Sequence, residues 1–403
     1  MNEMVSHERN IQEVEAEHLL QVYRRIPIVL TRGEGSYLYD IDDRKYLDFV
    51  SGLGVASLGH SHQKLATAVS DQASRLLHTS NLYFHPLQGQ VGQRLAALSG
   101  LPRAFFCNSG TEAVEGCLKF ARRYWYTHGD TKRTRIVALE RSFHGRTFGS
   151  LSATWEPAYR QPFQPLLPEV SFVSPTDPQA LDTVVGPDVA AIIIEPIQGE
   201  GGIWPLTPEF STAVDTACSR TGCLLIADEV QCGLGRAGVP FYSSTLDLKP
   251  DLIAIGKALG AGVPVGAVLM TQAVADAIAP GDHGTTYGGN LLACRAALVF
   301  LDAMEHGGLD QLKKTSAYLT KGLKYLAKRY PAITDIRGAG LMRGLEMTTD
   351  TALHTVERAM ARGLLINRTA GRVVRLLPPL NVSEQEIDEG LEILEMVLEE
   401  LKS

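Results

Sequence analysis

Long hydrophobic runs are missing from this chain of 403 residues. Apolar stretches such as Val189 to Ile194 fall far short of the about 20 residues that a membrane-spanning helix needs. Cysteine is scarce: six residues, at 107, 117, 218, 223, 232 and 294, with no Cys-x-x-Cys pair. That spacing argues against a zinc site and against a disulfide framework. Basic blocks are absent too. Lysine and arginine number 38 against 45 aspartates and glutamates, a net charge of −7, so neither nucleic acid nor an anionic membrane is an expected partner. The segment Met1 to Arg9 is polar and has no apolar core of the signal-peptide kind. The expectation is a cytosolic protein with reduced thiols, no metal and no membrane partner. What is present, 45% hydrophobic and 21% charged residues, is the composition of an ordinary globular protein with room for two or three domains.

Taken in order, residues 9–25 carry Ile11, Val14, Leu19 and Val22 at helical spacing, closed by Pro27, and predict a helix. Tyr37 to Asp40 and Tyr46 to Phe49 flank Asp42-Asp43-Arg44 and predict a hairpin. Gly52, Gly54 and Gly59 loosen the chain before a helix expected over 63–77. From about 103, short apolar runs alternate with helical patterns. The expected strands are 104–107, 136–139, 191–194, 223–227, 252–255 and 266–270, each apolar on both faces as in a parallel sheet covered by helices. Thr207-Pro208 reads as an N-cap followed by proline at the first helical position. Beyond 306 come a long amphipathic helix (312–330), short strands near 344–347 and 373–376, and a last helix opened by the capping box Ser383/Glu386. The expected division is an N-terminal arm (1–57) packing with the small domain, a large α/β domain (58–306) and a small C-terminal α/β domain (307–403).

Chemistry concentrates where these strands end, which is where open α/β sheets bind ligands. Lys257 follows Ile253-Ala254-Ile255-Gly256 directly. By itself that context suits a lysine snorkelling to solvent. Desolvated, the same side chain forms a Schiff base with an aldehyde. Asn108-Ser109-Gly110-Thr111-Glu112 precedes an amphipathic helix and offers either plain capping or a phosphate grip made of backbone N–H groups and the helix dipole. In Ser142-Phe143-His144-Gly145-Arg146, the phenylalanine suits core packing or stacking on a flat ring, and the arginine suits a surface ion pair or a carboxylate ligand. His144 is read as structural, because the sequence implies no partner for it. Glu195 and Glu200 share a glycine-rich loop. Asp228 ends another apolar run, where an acid is costly unless it meets a cation: an arginine, or a protonated pyridine nitrogen. It precedes Lys257 by 29 residues, a spacing that fits one strand–helix–strand unit. A phosphate grip, a ring stacker, an acid for a ring nitrogen and a Schiff-base lysine together specify pyridoxal phosphate.

The segments 108–112, 143–146, 195–202, 228–235 and Gly284-Thr285-Thr286-Tyr287-Gly288-Gly289-Asn290 resemble the class III, fold-type I aminotransferases, in order and over essentially the whole chain. Within that family the likeness is greatest to the branch acting on N2-acetylornithine. The resemblance implies a pyridoxal-phosphate aminotransferase of arginine biosynthesis, with a mostly parallel sheet flanked by helices in its large domain. It assigns Lys257 the cofactor and the proton transfer, Asp228 the ring nitrogen, Phe143 the ring face and Gln231 the phenolic oxygen. Ser109, Gly110 and Thr111 would hold the phosphate, completed by Thr286 of a second subunit, so that a homodimer shares its active sites. Arg146 would take the distal carboxylate of a small amino-acid or 2-oxo-acid substrate, with Thr285 also at the substrate site. Arg375 would take the α-carboxylate of glutamate, and Glu200 would neutralise Arg375 when an ω-amine is bound. Leu53 stands where ornithine-specific members tend to carry tyrosine, and an apolar residue suits an acylated amine. The chain departs from the family's usual residues at Gly256, Leu291, Cys232 and Ala237. An aminomutase of the same fold is the nearest alternative and has less use for a Glu200/Arg375 gate. A nucleotide-binding α/β protein would carry a Gly-x-Gly-x-x-Gly turn after its first strand or a Walker loop, and neither is found.

Overall fold

The computed structural model describes residues 11–348 and 351–401. At its centre is a seven-stranded sheet in the order Arg103–Cys107, Gly266–Met270, Leu252–Ile255, Leu224–Asp228, Val189–Ile194, Arg135–Leu139, Val170–Val173. All six expected strands lie in it, and an edge strand, Val170–Val173, is added. All six residues of Val189–Ile194 are buried. Each fully buried aliphatic side chain there contributes about 1.5–3 kcal/mol, which offsets the cost of seating acids at the sheet's edge.

Two expectations about connectivity are corrected. Gly266–Met270 runs antiparallel to both neighbours, Leu252–Ile255 and Arg103–Cys107. Only residues 256–265 separate it from the preceding strand, too few for the crossover of a dozen or more residues that a parallel return needs. The link between Asp228 and Lys257 is not a strand–helix–strand unit either. Leu224–Asp228 and Leu252–Ile255 are parallel, but between them lie turns and the short 3-10 segment Tyr242–Leu246. Gly233, Gly235, Gly238 and Pro240 break any helix there. The carboxylate of Glu229 replaces helical hydrogen bonding by accepting from Tyr242 N, Ser243 N and Ser243 Oγ at 2.8, 2.8 and 2.6 Å.

Before the sheet, Leu30–Glu34, Tyr37–Asp40 and Lys45–Asp48 form an antiparallel meander. Its last strand pairs in parallel with Leu364–Leu365, Leu47 opposite Leu364, which ties the N-terminal region to the C-terminal one. A second antiparallel sheet runs Ile333–Ala339, Met342–Met347, Val373–Leu376, Asn367–Thr369. The helices Leu309–Arg329 and Thr351–Ala361 pack on it, and Glu384–Glu400, opened by the Ser383/Glu386 capping box read from the sequence, packs on those two helices. The helix expected over 9–25 spans 11–18 among the described residues, with 9–10 outside them. Leu20, Val22 and Tyr23 are 84%, 66% and 72% exposed, so the apolar stripe that would have extended it is not buried against any of the described residues.

Candidate active site

The parallel register sets Glu195, Asp228 and Lys257 at one edge. Ile194 lies opposite Ala227, and Asp228 opposite Ala254, so the next residues along all three strands leave the sheet together. Lys257 has φ +39, a left-handed conformation held by the packing around it. Its amine has no hydrogen-bond or ion-pair partner among the described residues. Burial pushes its pKa down, opposed by the charges of Glu200, Asp228 and Glu195 and assisted by Arg375. Asp228 is 5% exposed; Oδ1 accepts from Val230 N at 3.1 Å and Oδ2 lies 2.7 Å from His144 Nδ1. The sequence implied no partner for His144, and the structure supplies one in Asp228. Its side chain is fully buried against the acid, and its Nε2 has no hydrogen-bond partner. Phe143 is half-buried, and its backbone N–H donates to Glu195 Oε1 at 2.8 Å.

Ser109 caps the helix Gly110–Thr127 by accepting from Glu112 N. The amides of Gly110 and Thr111 are first-turn donors without intrahelical partners, facing the positive end of the dipole. Thr111 Oγ1 accepts from the backbone N–H groups of Arg146 and Thr147 at 3.2 and 3.3 Å, fastening the Phe143–Arg146 loop to this helix start. Gly145, at φ +130, permits that approach, because a Cβ there would stand 2.2 Å from Thr111 Oγ1. Gly256 does the same below. A Cβ at 256 would lie 3.2 Å from Gly110 N, so the segment carrying Lys257 reaches the helix start without a side chain between them.

The third cluster lies between the central and small sheets. Arg375, 1% exposed on Val373–Leu376, places Nη1 2.5 Å from Glu200 Oε1. Gln231 Oε1 accepts from the same Nη1 at 3.2 Å, and Asn367 Oδ1 accepts from Nε at 3.2 Å. Burial disfavours the charge on Glu200, but Arg375 outweighs it and holds the carboxyl below its ordinary range. Thr369 Oγ donates to the Glu200 carbonyl at 2.6 Å. Asn367 and Thr369 were not singled out in the sequence, although a signal existed. The hairpin loop Ala370-Gly371-Arg372 pairs Thr369 with Val373 and thereby sets Asn367 opposite Arg375. Gln231, expected near a ring oxygen, is in this structure a partner of the arginine.

Arg146 is exposed, its guanidinium carbon 3.5 Å above the Tyr159 ring and 5.7 Å from that of Phe143. Beside it opens a cavity of about 430 Å³ lined by Phe143, Trp155, Tyr159, Glu200, Arg368 and Thr369. Thr285 Oγ1 accepts from Asn108 Nδ2 at 3.1 Å, which commits it to the helix-start region. Thr286 is exposed and makes no hydrogen bond to Ser109, Gly110 or Thr111 of its own chain among the described residues. Also among them, no group of three or more metal-ligating side chains is found.

Comparison with known proteins gives this arrangement its class. The family model for class-III aminotransferases matches residues 20–398. The chain belongs to that family and is a pyridoxal-phosphate-dependent aminotransferase. Among particular relatives, it is 42% identical over 396 residues to the acetylornithine aminotransferase of Methanocaldococcus jannaschii, covering 98% of this chain and 99% of that protein. To the acetylornithine aminotransferase of Aquifex aeolicus it is 43% identical, covering 94% and 100%. Among solved structures, ornithine aminotransferase from Toxoplasma gondii superposes with a TM-score of 0.93 at 30% identity, over 98% of this chain and 96% of that one. Acetylornithine aminotransferase from Elizabethkingia anophelis gives 0.85 at 31%, over 98% and 99%. The residues present fit the cofactor: an unpartnered amine, an acid seated on a buried histidine, and a helix start kept open by Gly145 and Gly256.

Proposed function

We propose that the protein moves the ω-amino group of N2-acetyl-L-ornithine to 2-oxoglutarate, giving N-acetylglutamate 5-semialdehyde and L-glutamate in arginine biosynthesis. The observation that carries this reading is the buried Arg375 neutralised by Glu200 close to Lys257. With the pair closed, the site presents no free cation at the point where an α-amino acid would bring its carboxylate, which favours an ω-amine. With Glu200 swung aside, Arg375 is freed to bind the α-carboxylate of glutamate or 2-oxoglutarate bidentately. Glu200 is the more exposed member, at 39% against 1% for Arg375, and so the one with room to swing aside. The acetylornithine aminotransferases at 42–43% identity support the acylated amine as substrate, as does Leu53 at the place of an ornithine-binding tyrosine.

Bound pyridoxal phosphate supplies an electron sink for the carbanion formed at the substrate carbon. Lys257 Nζ would hold the cofactor and, once freed by the incoming amine, would move the proton at the substrate carbon. Burial lowers its pKa, which favours the neutral amine that a base must be. Asp228 would keep a proton on the ring nitrogen, Phe143 would pack against the ring, Gln231 would serve its phenolic oxygen as well as Arg375, and Ser109, Gly110 and Thr111 would hold the phosphate. Arg146, held on Tyr159, takes the distal carboxylate, with Thr285 at the edge of the substrate site.

The decisive measurement compares kcat/KM for acetylornithine, succinylornithine, ornithine and 4-aminobutyrate with 2-oxoglutarate as acceptor. Acetylornithine should rank first, and a higher value for any of the others overturns the assignment. Thr286 is assigned to the phosphate site of a second subunit, and the protein to a homodimer in the cytoplasm. Leu82, Tyr83, Phe84 and Tyr287 stand 84%, 71%, 106% and 62% exposed, an apolar surface suited to a subunit contact. The six free thiols suit a reducing compartment. Mixed dimers of Lys257→Ala and Thr286→Ala subunits should regain activity that neither variant has alone, because one site then holds both residues. If Thr286 served its own subunit, mixing would restore nothing.

A further inference from the structure

Glu195 is a buried acid that this mechanism leaves without a task. It is 5% exposed and sits one residue beyond the strand Val189–Ile194. Its two carboxylate oxygens serve two different loops. Oε1 accepts the backbone N–H of Phe143 at 2.8 Å, and Oε2 accepts that of Gly199 at 2.9 Å. The first loop carries Phe143 and Arg146. The second carries Glu200, the residue after Gly199, at the tip of the small hairpin Ile197–Gln198/Trp204–Pro205. Gly199 in turn lets Gln231 pack closely against this loop, since a Cβ at 199 would stand 2.3 Å from Gln231 Oε1, the oxygen that accepts from Arg375. A contiguous path therefore runs from Phe143 through Glu195 and Gly199 to Gln231 and Arg375.

We propose that Glu195 is a positioning residue that locks the ring-packing Phe143 loop to the Glu200 gate, so that one carboxylate sets both the grip on the cofactor and the balance between glutamate and ω-amines. This rests on the roles given above to Phe143 and Glu200. Carboxylate chemistry is what the position demands. A glutamine would offer one acceptor and turn an NH2 toward the other N–H, leaving one amide unpaired. Burial pushes the Glu195 pKa up to about 7, while His144 and the two backbone N–H groups that the carboxylate accepts from favour the ionised form. His144, Asp228 and Lys257 are the titratable groups beside it, with the thiol of Cys232.

The test uses Glu195→Gln and, as a second variant, Glu195→Asp, which keeps the charge but is one methylene too short to reach both amides. Two readouts are taken: the Kd of pyridoxal phosphate for the apoprotein, and the ratio of single-turnover rates with acetylornithine and with glutamate. Each variant should weaken cofactor binding about tenfold and shift the rate ratio by about tenfold, the scale of one charge-assisted hydrogen bond. Combined with Glu200→Ala, Glu195→Gln should shift the ratio no further than Glu200→Ala alone, because it acts through that gate. The proposal is overturned if cofactor affinity falls while the ratio stays as in wild type, if neither moves, or if the double variant shifts the ratio beyond Glu200→Ala. If wild type fails to turn over acetylornithine, the substrate assignment fails separately. The clamp is then decided by cofactor Kd and by the glutamate KM, which must rise together.

Discussion

Two carboxylates near Lys257 are paired in contrasting ways. Asp228 meets His144 at 2.7 Å with both side chains all but removed from solvent, 6% and 0% exposed, and both belong to the edge of the central sheet. Glu200 meets Arg375 at 2.5 Å across two different sheets, and Glu200 keeps 39% of its side chain exposed. A pair enclosed on all sides is expensive to open, since parting it would leave a buried carboxylate and a buried ring nitrogen without partners. A pair with one wet partner is held weakly enough to separate when a better ligand for the cation arrives. The first suits a fixed electrostatic task and the second suits a gate.

That contrast can be broken by substitution. The largest effect is expected at the closed pair. Asp228→Asn should fold but lose about 10³-fold in kcat for every amine alike, because a neutral amide no longer holds a proton on the ring nitrogen. A loss confined to one class of amine would make Asp228 part of the gate instead. Glu200→Ala should divide its effect unequally. The ω-amine half-reaction should fall by about 10–100-fold while the glutamate half-reaction changes little, as Arg375 is left uncovered. Equal losses in stopped-flow measurements of the two half-reactions would contradict a gate. The smallest change is expected from Asn367→Ala, which removes one neutral acceptor from Arg375. The KM for 2-oxoglutarate should rise about 3–10-fold at nearly constant kcat. A fall in kcat with unchanged KM would place Asn367 with the chemistry and not with binding.

The resemblance carried by five ordered segments made the cofactor, Lys257, Asp228 and the Glu200–Arg375 pair legible before any coordinates. Local signals were equally readable. Apolar runs bounded by glycine and proline located the strands, and the Ser383 capping box located the last helix to the residue. Other expectations misread what the chain does between such signals. The segment 229–251 was given a helix, but its glycines and Pro240 leave the backbone to be satisfied by the buried Glu229 carboxylate. The N-terminal helix was extended to 25, although propensity without a surface to pack on does not sustain the last turns.

By itself, then, the sequence determined which residues are apolar in runs and where helices start, because these depend on neighbours a few residues away, and the resemblance pointed to candidate side chains. Only the tertiary structure decided which of them meet. His144 finds Asp228 across 84 positions, Phe143 and Gly199 are joined through Glu195, and Asn367 stands opposite Arg375. Hydrogen bonds of this kind act over about 3 Å, and strand order and register alone bring distant segments that close.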